Sequence, residues 1–301
     1  MKVLYILGRG RSGSTILGNV IGAVPGFFSA GELRYLWDPV VIWQSPCGCG
    51  VPIAECAVWA TILGRLDDVD LEQVVAWQHE IVRETNIYRL LDARGGRSWP
   101  ALRRYAAVTE RLYRTIVDVT GCDVIVDSSK RPSYAAFIRR LEDCDPYFIH
   151  LARDPRASAY SWLGRRYVSP HGGEVPRRNA IDSTLRWNLL NLGSETLLKR
   201  VAGERQMYLR YEDFVAAPLE TVTDVCALVG ESDRPLPFID ERTVMLDANH
   251  TIAGNPSRFS SGRLELRDTA EWRTQQDRVS RWLATVVALP YLRRYGYSMR
   301  V

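Results

Sequence analysis

The chain has 301 residues, 46% hydrophobic and 25% charged, a globular composition long enough for one large α/β domain with insertions. No apolar run reaches the ~18 residues of a membrane span, and Met1-Lys2 leads straight into a strand-like run. The sequence therefore predicts neither a span nor a signal peptide, and a cytoplasmic address. Net charge is +4, and of 39 basic residues only Lys2, Lys130 and Lys199 are lysine, leaving 36 arginines. GC-rich codon usage accounts for most of them. Their spread, without basic runs or interleaved aromatics, argues against nucleic acid as a partner, while arginine's planar fork suits a phosphate or sulfate ligand.

The first element is LYILGRGRSGSTIL, Leu4 to Leu17, which reads as strand, phosphate-sized loop and helix. Gly8-x4-Gly13-Ser14-Thr15 keeps the frame G-x-x-x-x-G-K-[ST], but Ser14 stands where the lysine that reaches β- and γ-phosphates belongs. Inward backbone N–H groups and a helix N-terminus near Ser14 still favour an anion. A phosphate site is expected, a γ-phosphate site is not, and Arg11 supplies a cation from a different position.

Apolar runs followed by turn residues recur at Val3–Leu7, Val124–Val126, Tyr147–Leu151 and Met207–Leu209. Strands alternating with helical patterns imply an α/β fold with a mostly parallel sheet covered on both faces. Ligands in such sheets bind at the carboxyl ends of the strands, which would bring together 8–15, 127–130, 153–161 and 210–213. Between the first two of these strands, segments 33–43, 54–63, 71–91 and 102–119 read as helical. That is far more than a crossover needs, so a helical cap at about 33–120 is expected within a single domain spanning 1–301. The cap carries Trp37, Trp43, Trp59, Trp77 and Trp99, most of them expected in packing and one or two at an acceptor pocket.

Cys47, Cys49 and Cys56 cluster in SPCGCGVPIAECAVW. A structural zinc site wants four ligands, and the nearest histidine along the chain is His79, so no metal is expected. A Cys47–Cys56 or Cys49–Cys56 disulfide fits the spacing, but a cytoplasmic address argues for free, buried thiols.

Further along, HLARDPRASAYSW spans His150 to Trp162. Asp154-Pro155 reads as N-cap and first helical residue, which sets Arg153 at a strand's end and Ser161 two turns into the helix. The default for an isolated arginine is a pair with Asp154 or a surface carboxylate. At a strand's carboxyl end, a long arginine could instead share one phosphate with Ser161.

The combination of GRSGST after the first strand, RDPRASAYS with its spaced Arg153 and Ser161, and GNPSRF near the C-terminus resembles the sulfotransferases that use 3′-phosphoadenosine 5′-phosphosulfate (PAPS). The resemblance spans Leu4 to Tyr297 and leaves the cap as the divergent part. It implies a P-loop NTPase-like core with Arg11, Ser12, Gly13, Ser14 and Thr15 on the 5′-phosphosulfate and Arg153 and Ser161 on the 3′-phosphate. Arg258, in a looser match to the family's C-terminal phosphate loop, joins them. Arg11 in place of a loop lysine is more similar to tyrosylprotein and bacterial carbohydrate-type enzymes. The implied reaction transfers a sulfuryl group to a hydroxyl of a sugar, lipid, phenol or natural product, with adenosine 3′,5′-bisphosphate as product and no metal.

Sulfuryl transfer needs a base near the loop and cations on the transferring group. Glu32 in SAGELRYLW is similar to the catalytic glutamate at the matching place in tyrosylprotein sulfotransferases; the plainer role is a carboxylate at a helix start. Asp127 in VIVDSSK competes as base and also mimics the magnesium aspartate of NTPases. Lys130 stands out as a compact ammonium in an arginine-rich chain, suited to the bridging oxygen or sulfuryl group, whereas Ser128 and Ser129 need no role beyond capping. His150 reads as a core histidine and His79 as a helical one, while His171 and His250 are lower-ranked bases. In LRYEDF, Glu212 or Asp213 is expected to cap a helix, with Arg210 within reach of the donor. The rivals are a nucleotide-dependent kinase or NTPase and a non-catalytic nucleotide-binding protein.

Overall fold

A computed structural model describes residues 1–92, 99–164, 178–268 and 270–299. The centre is a five-stranded sheet of order β2-β3-β1-β4-β5, formed by β1 (Lys2–Gly8), β2 (Phe27–Gly31), β3 (Val124–Lys130), β4 (Asp145–Ala152) and β5 (Gln206–Arg210). Every pairing is parallel. Parallel strands covered on both faces read as continuous apolar runs, and β1 alternates accordingly. Val3, Tyr5 and Leu7 enter the core shared with the helices that follow β2. Leu4 and Ile6 face α1 (Ser14–Gly22) through Leu17, Val20 and Ile21. Each such side chain, fully buried, contributes about 1.5–3 kcal/mol of transfer free energy.

The four expected strands are present, and β2 is a fifth. It lies between α1 and residue 33, ahead of the stretch expected to be helical, so the cap opens after an edge strand. Its run, FFSAG, is short and has no β-branched residue, which leaves little strand signal.

Among the described residues, five α-helices follow between β2 and β3: α2 (Pro39–Gln44), α3 (Ala57–Gly64), α4 (Leu71–Ile81), α5 (Ile87–Leu91) and α6 (Pro100–Thr120). Two expected helices are divided, each for a local reason. Residues 33–35 form a 3₁₀ turn, and α2 starts afresh where Asp38 accepts from the Val40 amide ahead of Pro39. The 71–91 segment breaks after Ile81 because the Asn86 amide caps the carbonyls of Glu80 and Ile81. Trp37, Trp59 and Trp99 are buried in the same core as Val3 and Tyr5, whereas Trp43 is 68% exposed. Beyond the cap come α7 (Pro132–Ile138), α8 (Pro155–Gly164) and α9 (Ala180–Leu198). No helix among the described residues is long and apolar enough to cross a membrane.

At the end of β1 the chain leaves the sheet at Gly8, whose φ is +147° and whose added Cβ would lie 2.3 Å from the Leu151 carbonyl oxygen of β4. Backbone at that distance cannot yield as a side chain can. Gly8→Ala is expected to destabilise the protein by at least ~2 kcal/mol, read as a lower urea midpoint. An unchanged midpoint would show that β1 and β4 separate there at little cost.

Candidate active site

The loop after β1, Arg9 to Gly13, leads into α1 with Gly13 at the N-cap in the left-handed region. Arg11 also has positive φ, +75°, an uncommon state for a residue with a Cβ and one that marks functional loops. Ser12, Ser14 and Thr15 are buried, and the Ser12 hydroxyl has no partner among the described residues. Above the loop stands Trp162 of α8, whose indole N–H donates to the Gly10 carbonyl at 3.3 Å. The guanidiniums of Arg9, Arg11 and Arg178 lie 4.7, 5.2 and 5.4 Å from its ring centroid. Arg9 is buried with Nε and Nη2 unpartnered among the described residues. Burial first, then the neighbouring Arg178 and Arg186, pushes it down to about 10. A buried cation in that condition is stabilised by an anion brought to it.

Arg153 sits at the end of β4 and its guanidinium covers the Tyr211 ring at 4.6 Å. It donates through Nη1 to the Arg11 carbonyl at 3.2 Å, and its buried Nε has no partner among the described residues. Its carbonyl is held by Trp187 at 3.0 Å. The expected alternative, pairing with Asp154, does not occur. Asp154 caps α8 through the Arg156 amide at 2.9 Å and is paired with the Arg156 guanidinium at 2.7 Å. Ser161 precedes Trp162 in the second turn of α8, so the Trp162 bond that docks α8 on the loop also fixes the height of Ser161.

Glu32 follows β2. Its amide donates to the Ile252 carbonyl at 2.9 Å and its carboxylate pairs with Lys130 Nζ at 2.6 Å, both side chains nearly buried. Burial pushes the Lys130 ammonium down and Glu32 opposes that shift. Lys130 ends β3 with φ +70°, and β3 carries an extra residue against β1 between Asp127 and Lys130. Such a bulge re-aims the side chains that follow it. Asp127 shapes the bulge: it is fully buried, accepting from the Ser129 amide at 2.8 Å and from the Tyr113 hydroxyl at 2.9 Å. Both of its oxygens are committed inside the protein. Ser129 also accepts from the Arg34 amide at 3.2 Å, holding the first turn of the cap instead of capping a helix.

The segment 249–258 crosses the same edge. The Asn255 amide donates to Thr15 Oγ1 at 3.1 Å, its side-chain oxygen accepts from Arg11, and Asn19 donates to the Ser257 carbonyl at 3.1 Å. Within the GNPSRF match, Asn255 thus meets the loop. Arg258 turns back to the Gly254 and Pro46 carbonyls at 2.7 and 3.4 Å.

His150 is the core histidine expected, bonded to Asn191 at 2.7 Å; His79 is exposed on α4, and His171 lies outside the described residues. Glu212 accepts from the Asp154 amide and the Tyr297 hydroxyl and caps no helix. Arg210 faces Tyr297 at 4.7 Å. Those residues border a cavity of about 550 Å³ whose lining includes none of the loop residues. His250 corrects the reason for expecting no metal: it meets Cys47, Cys49 and Cys56, with every ligand atom within 4.8 Å of the others. Its separation of 194 residues from Cys56 hides this from local spacing. Arg9 and Trp162, by contrast, lie inside motifs that the sequence does display.

The five-stranded parallel sheet, with a cationic, lysine-free loop at its carboxyl end, is an α/β fold of the P-loop-like class. The profile of the Sulfotransferase family matches residues 52–235, more than half of the chain, and the protein belongs to that family. The match covers Asp127, Lys130, Arg153 and Ser161; the loop and Glu32 precede it. Among solved structures, the fold is similar to the sulfotransferase domain of the Synechococcus PCC 7002 olefin synthase. There the TM-score is 0.55 and identity 18%, over 99% of this chain and 95% of that one. The sulfotransferase domain from the curacin biosynthetic pathway gives 0.51 and 17%, over 99% of each. No curated protein sequence matches.

Desolvation raises the Asp127 carboxyl from 3.8 to about 6. Because the folded value exceeds the unfolded one, Asp127 favours the folded state most below pH 3.8, and that contribution declines as pH rises through about 6. The unfolding free energy of the wild type relative to Asp127→Asn should fall by ~2–3 kcal/mol across this window. Parallel profiles would mean that Asp127 titrates at its ordinary value.

Proposed function

We propose that the protein transfers the sulfuryl group of PAPS to a hydroxyl of a small-molecule, carbohydrate or lipid acceptor. The observation that carries this reading is the convergence of Arg9, Arg11 and Arg153 on the loop, where buried donors of Arg9, Arg153 and Ser12 lack partners among the described residues. A buried donor left unsatisfied costs about 1–3 kcal/mol, and an anion with several oxygens relieves more than one at once. These residues fit a doubly phosphorylated donor. Arg11, Ser12, Gly13, Ser14 and Thr15, with Arg9 added, would hold the 5′-phosphosulfate. Arg153 and Ser161 would hold the 3′-phosphate, and Arg258 would join them only by leaving the carbonyls of Gly254 and Pro46.

When bound, the donor supplies an activated sulfuryl group; binding, orientation and proton transfer fall to the chain. Glu32, fixed by Ile252 and Lys130, accepts the proton of the acceptor hydroxyl. Lys130 and Arg11 offset the negative charge that develops. The chain is read as one domain, 1–301, whose helical segment 33–120 caps the acceptor side. The kinase reading is weakened twice: Ser14 replaces the loop lysine, and Asp127 is fully buried and bonded to Ser129 and Tyr113 instead of facing a magnesium ion. The idle-pocket reading does not explain why a nearly buried Glu32–Lys130 pair is retained.

Calorimetric titration should favour adenosine 3′,5′-bisphosphate, without metal, over ADP and over ATP with magnesium; the reverse preference would sink the assignment. With the bisphosphate as probe, Arg153→Ala should weaken binding by about ten- to a hundredfold, as expected for one charge-assisted hydrogen bond. Unchanged affinity would remove Arg153 from the phosphate set. Glu32→Gln should bind the bisphosphate normally and lose roughly 10²–10⁴ in turnover, whereas near-normal turnover would assign the base elsewhere.

A further inference from the structure

Three sulfurs and one imidazole converge where the cap meets the segment ahead of the 254–259 loop. Cys47 and Cys49 flank Gly48 in a tight turn closed by the Cys47 amide on the Val51 carbonyl at 2.7 Å and the Gly50 amide on the Cys47 carbonyl at 2.8 Å. Cys56 occupies the N-cap of α3. His250 brings Nδ1 to 3.1 Å from Cys56 Sγ and 3.9 Å from Cys47 Sγ. Its carbonyl accepts the Trp59 indole N–H at 2.6 Å, and the Gly48 amide donates to the Thr251 carbonyl at 3.0 Å. Turn and histidine are therefore held together by backbone bonds independent of any ion.

We infer that Cys47, Cys49, Cys56 and His250 form a tetrahedral zinc site. Zinc–sulfur bonds of about 2.3 Å and zinc–nitrogen bonds of about 2.0 Å set ligand-to-ligand separations of roughly 3.5–3.8 Å. The four ligand atoms all lie within 4.8 Å of one another, so contraction by about 1 Å at most closes the tetrahedron. Thiolate and imidazole ligands suit zinc, and four protein ligands leave no open position. The site is structural and adds nothing to the sulfuryl chemistry. A Cys47–Cys56 disulfide would use two of the sulfurs and leave Cys49 and His250 without a role; the described cysteines are all free. Zinc would staple the turn at 47–56 to a segment that supplies Ile252 to Glu32 and Asn255 to Thr15.

The test is metal analysis of the protein purified under reducing conditions, without a chelator or a metal-affinity step. One zinc per chain is expected. The protein stripped and reloaded with cobalt(II) should show the intense visible bands and thiolate-to-cobalt charge transfer of a tetrahedral thiolate site. His250→Ala should lose both signals, and Cys144→Ser, at a cysteine outside the cluster, should keep them. A wild-type protein that neither carries nor takes up zinc and shows no cobalt spectrum would overturn the assignment, as would a Cys47–Cys56 disulfide in that preparation. Full zinc retention by His250→Ala would do so too. Cobalt loading of the wild type stands even where a variant fails to fold, and none of these readouts depends on sulfotransferase activity.

Discussion

Positive charge gathered at the carboxyl end of the sheet, with the neighbouring carboxylates committed elsewhere, is the constraint from which the rest of the site follows. Asp154 is occupied by Arg156, Asp182 by Arg178 and Arg186, Glu32 by Lys130, and Glu212 by the Asp154 amide and Tyr297. Arg9 and Arg153 keep buried nitrogens without partners among the described residues. Desolvating a guanidinium is costly, and stacking on Trp162 or Tyr211 offsets only ~0.5–2 kcal/mol of it. A chain that gathers arginines here and spends its carboxylates elsewhere is arranged for an anion that arrives from outside. Under the proposed function, the loop after β1 and the start of α1 would give that anion its place, as helix N-termini do for anions.

The second constraint is mechanical. Residues 249–258 lie across β2, α1 and the cap at once. Ile252 exchanges backbone bonds with Ala30 and Glu32, Thr251 bonds Asn19 and the Ser29 carbonyl, and Asn255 meets Thr15. Glu32 and the loop are thereby linked through a few residues of extended chain, in addition to the longer route through β2 and α1. If Glu32 is the base, as proposed, precision of this kind relative to the loop is what proximity effects require, since small misplacements are expensive in rate. The cluster of Cys47, Cys49, Cys56 and His250 lies at the other end of the same segment, so the cap's 47–56 turn and Glu32 share one support.

How much of this was legible in the sequence depends on how local the determining contacts are. The turn from β1 into α1 and the strands β1, β3, β4 and β5 are written in contiguous runs, as is the Asp154-Pro155 start of α8, and all are found where the pattern puts them. β2 was hidden because FFSAG lacks β-branched residues and draws its pairing from β3. The breaks at Asp38 and Asn86 come from side chains that cap their own backbone, a signal present in the sequence but weaker than the apolar periodicity around it. The Glu32–Lys130 pair joins separate strands across the sheet, although each residue was a candidate alone. His250 lay beyond any spacing rule, because what brings it to Cys56 is the path of the whole chain.

Lys130 shows how strain and position are connected. A residue with a Cβ in the left-handed region costs of order 1–3 kcal/mol and persists only where its surroundings over-determine it. Here the determination comes from beneath: Asp127 bends back to its own chain at Ser129, Tyr113 takes the second carboxylate oxygen, and the bulge turns Lys130 toward Glu32. Arginine's longer, planar head would not sit between Glu32 and the Ser128 carbonyl, which accepts from Nζ at 3.0 Å. That geometry gives a physical reason for one of only three lysines in the chain to stand at this position. Asp127, buried beneath it, sets the position of the ammonium through the bulge.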